Sequence, residues 1–230
     1  MALAALTESD IIDQIYSDYE GDNTTWSATS AEYLTARRYC KAAIIRWEFL
    51  EGVIWPELYT TLAAAADGTK TTTAGTWSYG CPTDMRLPPQ PGNYVRIVDS
   101  GSNSSYYKVI PLSKVEQLDN TNDKFCYFTG NQKLGFTLNI NDNLTLTTGN
   151  TIKYEYYRRA TYFTATTSTT EMSNPMFIVH YALHRFYKND GLLDESQEEL
   201  QIAESLLQEM KSDASSIITD QVAGDDGFGV

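Results

Sequence analysis

No run in this chain approaches the roughly 20 consecutive apolar residues that a bilayer-crossing helix needs, so the sequence predicts no membrane partner. Cysteine is scarce: Cys40, Cys81 and Cys126 are odd in number, far apart and contain no CxxC. That excludes a disulfide framework and fits a protein matured in a reducing cytosol. The opening MALAALTESD lacks the basic n-region of a secretory signal, which predicts synthesis in the cytoplasm. Phosphate-cradling GxxxxGK and GxGxxG patterns are missing, as is the GxSxG of a nucleophile elbow. There are two histidines, His180 and His184. Their spacing of four on a predicted helix suits a metal, but no Glu follows His180 and no third ligand lies nearby. The sequence therefore predicts no catalytic residue, no metal and no cofactor, and a chain that is not an enzyme.

Basic residues are missing from both ends. Residues 1–29 hold six acids and no base, and residues 190–230 hold eleven acids and only Lys211 as a base. Residues 30–189 carry thirteen acids and sixteen bases, so the formal charge of −13 belongs to the ends. Wrapping nucleic acid requires lysine and arginine to displace counterions. An acidic chain beside DNA instead suits a channel wall that DNA passes without adhering. Tyrosine is abundant, 16 against 8 Phe, and its apolar ring with a polar tip suits shared or half-wet surfaces.

Periodicity divides the chain. Thr7 and Asp10 start a short helix whose Ile11, Ile12, Ile15, Tyr16 and Tyr19 share a face, with Gly21 as a left-handed stop. A second helix is predicted at about 30–51. Thr29 and Glu32 form its capping box, and Tyr33, Ala36, Cys40, Ala43, Ile44, Trp47 and Leu50 form its apolar stripe. Arg38, Lys41 and Glu48 are assigned to its other side. Residues 57–80, around Asp67-Gly68, read as a β-hairpin, with a short helix ending in Ala63–Ala66 as the alternative, and the four prolines of CPTDMRLPPQPG as an extended edge segment. Candidate strands are 94–98, 106–112, 125–128, 134–139, 144–147 and 151–158, with one helical turn over 113–118. In the last of these strands Ile152, Tyr154 and Tyr156 alternate with Lys153, Glu155 and Tyr157. Asn174 caps a helix with Pro175 in its first position. Asp194 caps the next one, whose stripe is Leu200, Ala203, Leu206, Leu207 and Met210. The pattern fades from about Ser212.

The resulting fold class is α+β. N- and C-terminal helices (1–56 and 170–214) form a helical bundle that carries an inserted small antiparallel β-sandwich or barrel (57–169). Residues 215–230, Gly- and Asp-rich, form a flexible, extended C-terminal arm.

Four stretches in this order carry a likeness: AEYLTARRYCKAAIIRWEFLEG; TWSYGCPTDMRLP, akin to a "YxLPxD" entry into a β-domain with Cys81 in the usual Leu position; CYFTGNQKLGFTLN…GNTIKYEYYRRATYF; and NPMFIVHYALHRFYKNDG followed by an acidic helix. Over about 30–212 the chain resembles the head-to-tail adaptor (neck, connector) proteins of tailed bacteriophages, including the tail tubular protein A type. The resemblance implies a virion structural protein of the neck, in a ring of about twelve copies with head-to-tail contacts. Its partners would be itself, the portal protein and a tail or nozzle protein, with double-stranded DNA passing through the lumen unbound. Portal docking is expected of the C-terminal arm through Ile217, Ile218 and Phe228. Subunit contacts are assigned to the basic doublets Arg37-Arg38, which also reads as a salt-bridging helix face, and Arg158-Arg159, at a strand end where it can pair with an acidic neighbour. Two other readings are a connector ring further down the neck and a carbohydrate-binding β-module. The second comes from Tyr106-Tyr107 and Tyr156-Tyr157, although neighbours on a strand point to opposite faces.

Overall fold

A computed structural model of the chain describes residues 6–21, 25–65, 69–118 and 121–223, with the backbone alone at 64 and over 217–223. The chain forms two compact units: Met1–Glu57 with Ala160–Val230, and Leu58–Arg159 between them. The second crossing thus falls ten residues before the expected boundary at 169. The reason is visible at the start of α1 (Glu8–Glu20). Its first amides lack intrahelical acceptors, and Glu8 N and Ser9 N donate to the carbonyls of Ser168 and Thr166 at 2.7 and 3.1 Å. Residues 160–169 therefore serve the helical unit.

In that unit the caps obey local rules. Thr7 and Asp10 form the expected capping box, and Gly21 closes α1 at φ 74°. Helix α2 (Ala31–Glu48) is capped by Ser30, one residue later than expected: the Ser30 hydroxyl accepts from Tyr33 N. Ser30 and Thr29 offer the same hydroxyl, so sequence alone does not separate them. Two helices follow the β-unit: α4 (Met176–Asn189) and α5 (Leu193–Ala223). Asn174 bonds Met176 N from just outside α4, while Asp194 lies inside the first turn of α5. Helix α4 packs against α1, α2 and α5. The fully buried faces are Ile11, Ile12 and Ile15 of α1, Ala36, Cys40 and Trp47 of α2, and Phe177 and Ala182 of α4. Trp55 stacks on Trp47 at 5.1 Å and donates its indole N–H to the Trp47 carbonyl at 2.6 Å.

The expected end of the chain is corrected. Helix α5 runs through Ala223, so residues 215–223 are helical and not an extended arm. Nothing in 215–223 breaks a helix: the segment has neither proline nor glycine. The first glycine after the stripe is Gly224.

The inserted unit contains β1 (Tyr59–Thr61), β2 (Lys70–Thr71), β3 (Ser78–Gly80), β4 (Met85–Leu87), β5 (Tyr94–Val98) and β6 (Ser104–Val109), then the one-turn helix α3 (Val115–Leu118). After it come β7 (Phe125–Asn131), β8 (Gly135–Ile140), β9 (Thr151–Lys153) and β10 (Glu155–Arg158). Seven strands, in the order β2-β9-β5-β6-β7-β8-β3, make a nearly closed, barrel-like sheet. Its interior is filled by alternate residues such as Val95, Ile97, Val109, Leu138, Ile140 and Ile152. A second sheet has the order β1-β10-β4. There β4, from the proline-rich stretch, is an edge as expected.

Three expectations are corrected here. Residues 57–80 do not form a hairpin, since β1 pairs with β10 and β2 with β9. The unit is not wholly antiparallel, since β6 and β7 pair in parallel. Such a pair needs a long crossover, and residues 110–124, with α3 in them, supply it. Residues 144–147 form no strand, although Leu146 is buried. The alternation of 151–158 does hold: Ile152, Tyr154 and Tyr156 are buried, and Lys153 and Glu155 are exposed.

Candidate functional site

The residues singled out as interface candidates fall into four groups. Arg37 is engaged within its own chain. Its guanidinium meets the fully buried Glu8 at 2.6 Å and lies over the ring of Tyr33, whose hydroxyl donates to the same carboxylate oxygen at 3.1 Å. Burial, and then the hydrogen bond to Glu8, pushes the Tyr33 hydroxyl up to about 12. Arg158 and Arg159 are half-buried and knit the β-unit. The Arg159 amide donates to Asp84 O at 2.7 Å and its guanidinium to Gln132 O, while Arg158 reaches the Arg159 carbonyl. Arg38 is exposed. Ile217 and Ile218 lie on the α5 backbone, and Phe228 lies outside the described residues.

The outward face of α2 is different from the polar one expected. Glu48 is fully buried, with the Tyr162 hydroxyl donating to it at 2.7 Å. A carboxylate at that depth needs such a donor, and the donor comes from a residue 114 positions away. Among the residues that α2 and its C-cap show to solvent, Leu34, Arg38, Lys41, Ile45 and Phe49 are spaced four, three, four and four apart and therefore lie on one stripe. Leu34, Ile45 and Phe49 are 39, 38 and 46% exposed. The stripe was readable from the period, but the opposite, buried face gives the stronger hydrophobic signal.

The outward face of α5 has the opposite sign. Glu195, Glu198, Glu209 and Asp213 are exposed around Ile202. Glu199, in contrast, is used inside the unit: it meets His180 Nδ1 at 2.6 Å, while His184 Nδ1 lies 2.9 Å from Ser196 O. Arg46 of α2 pairs with Glu204 of α5. The two histidines thus join α4 to α5. Among the described residues no three His, Cys, Asp or Glu side chains come together as a metal site would require. Burial raises the thiols of Cys40 and Cys126, the latter to about 12, which keeps both protonated and poorly nucleophilic.

On the β-unit, Tyr106 is 55% exposed and Tyr107 6%, as strand alternation demands. The ring that joins Tyr106 is Tyr94, also 55% exposed, at 6.3 Å and edge to face. Both line a groove of about 420 Å³ with Arg96, Lys153 and Glu155. Arg96 stands between Lys153 on β9 and Tyr106 on β6 in the strand register. Two cations directly opposite each other are unfavourable, so an anion placed between Arg96 and Lys153 would relieve their repulsion.

Charge is divided between the units. The helical unit holds 22 acids and 7 bases, and the β-unit 8 acids and 10 bases. No family model and no curated protein matches the chain. Among the described residues no helix is long and apolar enough to cross a membrane.

Proposed function

We propose that the chain is a virion structural protein of a tailed phage: a head-to-tail adaptor subunit that joins the portal to the tail and lines the DNA exit channel. The observation that carries the reading is the nesting. Helices from both sides of the sequence make one acidic unit, and a nearly closed β-unit is inserted between Leu58 and Arg159. This is the arrangement implied by the order of the four motif stretches. The helices serve as a bundle that builds the ring wall, with about twelve copies related head to tail. The excess of acid in the helical unit suits a wall that repels the DNA backbone. The far end of α5 and the residues after it dock on the portal, and the β-unit meets a tail or nozzle protein.

The test is native mass spectrometry of the chain alone and mixed with the portal protein of the same phage. Complexes with as many adaptors as portal subunits, lost on deletion of 212–230, support the reading. A chain that ignores the portal but binds a tail component reassigns it to a connector ring further down the neck.

One observation favours a second reading, a carbohydrate-binding β-module: the exposed Tyr94 and Tyr106 beside Arg96, Lys153 and Glu155. Aromatic rings stack on sugar faces while the charged groups take hydroxyls and acids. A glycan screen in which binding disappears in Tyr94→Ala and Tyr106→Ala would establish it.

A further inference from the structure

We infer that the exposed stripe of α2 on one copy docks against the acidic face of α5 on the next, and that this pairing is the repeating contact of the ring. The inference rests on the ring reading and specifies which surfaces close it.

Both surfaces belong to the helical unit. The α2 stripe offers three partly exposed apolar side chains, Leu34, Ile45 and Phe49, with Arg38 and Lys41 between them. The α5 face offers four carboxylates around the exposed Ile202. At ~1.5 Å per residue the stripes are about 22 Å and about 27 Å long, so one can lie along the other. No ion pair among the described residues engages Arg38, Glu195, Glu198, Glu209 or Asp213. Lys41 rests over the Tyr162 ring, which leaves its charge available to a second partner.

The sign of each surface decides the symmetry. A two-fold contact centred on either patch would place α2 against α2, cation on cation, or α5 against α5, carboxylate on carboxylate. Like charges brought together disfavour both. The complementary pairing uses two different patches of the same chain, which repeated head to tail generates a ring, whereas a dimer held by two reciprocal α2–α5 contacts as the assembled species would overturn the ring. The apolar side chains provide the area removed from water, and the charges set partner, orientation and encounter rate.

The test uses two variants of the full chain, Arg38→Glu/Lys41→Glu and Glu195→Lys/Glu198→Lys/Glu209→Lys/Asp213→Lys, by native mass spectrometry alone and on the portal. Each variant by itself presents like charge on both surfaces and is expected to lose the assembled species at least tenfold. An equimolar mixture has opposite charges at every junction and is expected to recover it, with the two variants alternating. That recovery also shows that each variant is folded. Wild type that assembles while either variant assembles equally well overturns the α2–α5 contact and leaves the ring reading intact. Variants that fail singly and do not recover when mixed overturn it as well. Wild type that remains monomeric both alone and on the portal overturns the ring reading itself, and the contact with it.

Discussion

Arg37 of α2 closes on Glu8 of α1 at 2.6 Å, across a separation of 29 residues, and places its charge against a carboxylate with no exposure to solvent. Only one of the two carboxylate oxygens is hydrogen-bonded among the described residues. The pair therefore ties α1 to α2 while leaving Glu8 dependent on its single cation. Arg37→Ala would strand the buried charge and is expected to cost about 2–4 kcal/mol, the lower part of the range reflecting the partial exposure of Arg37. Glu8→Gln/Arg37→Met removes both charges and should restore much of the loss. Urea unfolding of the single and double variants checks both values.

Tyr33, beside that pair, gives the helical unit a limit at high pH. Its hydroxyl is raised from 10.0 to about 12 by burial and by Glu8, and Tyr19 is raised to about 12 by its hydrogen bond to Asp190. A raised pKa means that the contribution is complete below pH 10 and is lost as pH climbs through 12. Stability measured in urea at pH 9, 10 and 11 should fall progressively. Tyr33→Phe should flatten that fall, at a cost at neutral pH of about 1 kcal/mol for the lost hydrogen bond.

Trp55→Ala should cost about 3–5 kcal/mol, because it empties a fully buried site stacked on Trp47. Trp55→Phe keeps most of the volume and removes one donor from the Trp47 carbonyl, which still accepts from Leu50 N at 3.1 Å, and should cost about 1 kcal/mol. Thermal unfolding followed by tryptophan emission reports both.

Gly130→Ala should damage the β-unit. Gly130 lies at φ 98°, and a Cβ there would overlap the backbone carbonyl of Gly135 across the β7–β8 turn. Strain and overlap together should exceed about 2 kcal/mol. Amide exchange should show the loss concentrated in β7 and β8.

Salt provides a check on assembly that needs no variant. If charge orients the ring contact, assembly should slow and weaken as ionic strength rises towards about 1 M, where the screening length is about 3 Å. Light scattering after salt dilution measures this. Assembly that is indifferent to salt assigns the contact to apolar area alone.

What the sequence made legible follows the range of the forces involved. The Thr7 box and the Gly21 stop are decided within four residues, and both are where local rules put them. The buried stripe of α2 is decided by period, and Ala36, Cys40 and Trp47 lie in it. The misreadings depend on distant partners. Asp67-Gly68 has hairpin chemistry, but the strands on either side of it pair with residues some 80 to 100 positions away. Glu48 looks like a solvated acid until Tyr162 supplies its donor. Tyr94 and Tyr106 are unremarkable apart and meet only because β5 and β6 are in register. Among the described side chains first proposed for contacts, Arg38 is the exposed one, because Arg37 has Glu8 and Arg159 has Gln132.

The insertion between Leu58 and Arg159 also imposes an order on synthesis. Helices α1 and α2 leave the ribosome early, but the α4 on which both pack follows α2 by more than a hundred residues. At roughly 5–20 residues per second, their apolar faces wait on the order of ten seconds for a cover. Within that interval the β-unit has all its strands and can fold by itself. A nascent chain stalled near residue 195, with β10 emerged and α4 still in the exit tunnel, should therefore hold a protease-resistant β-unit joined to helices that are still cleavable, with its host completed last.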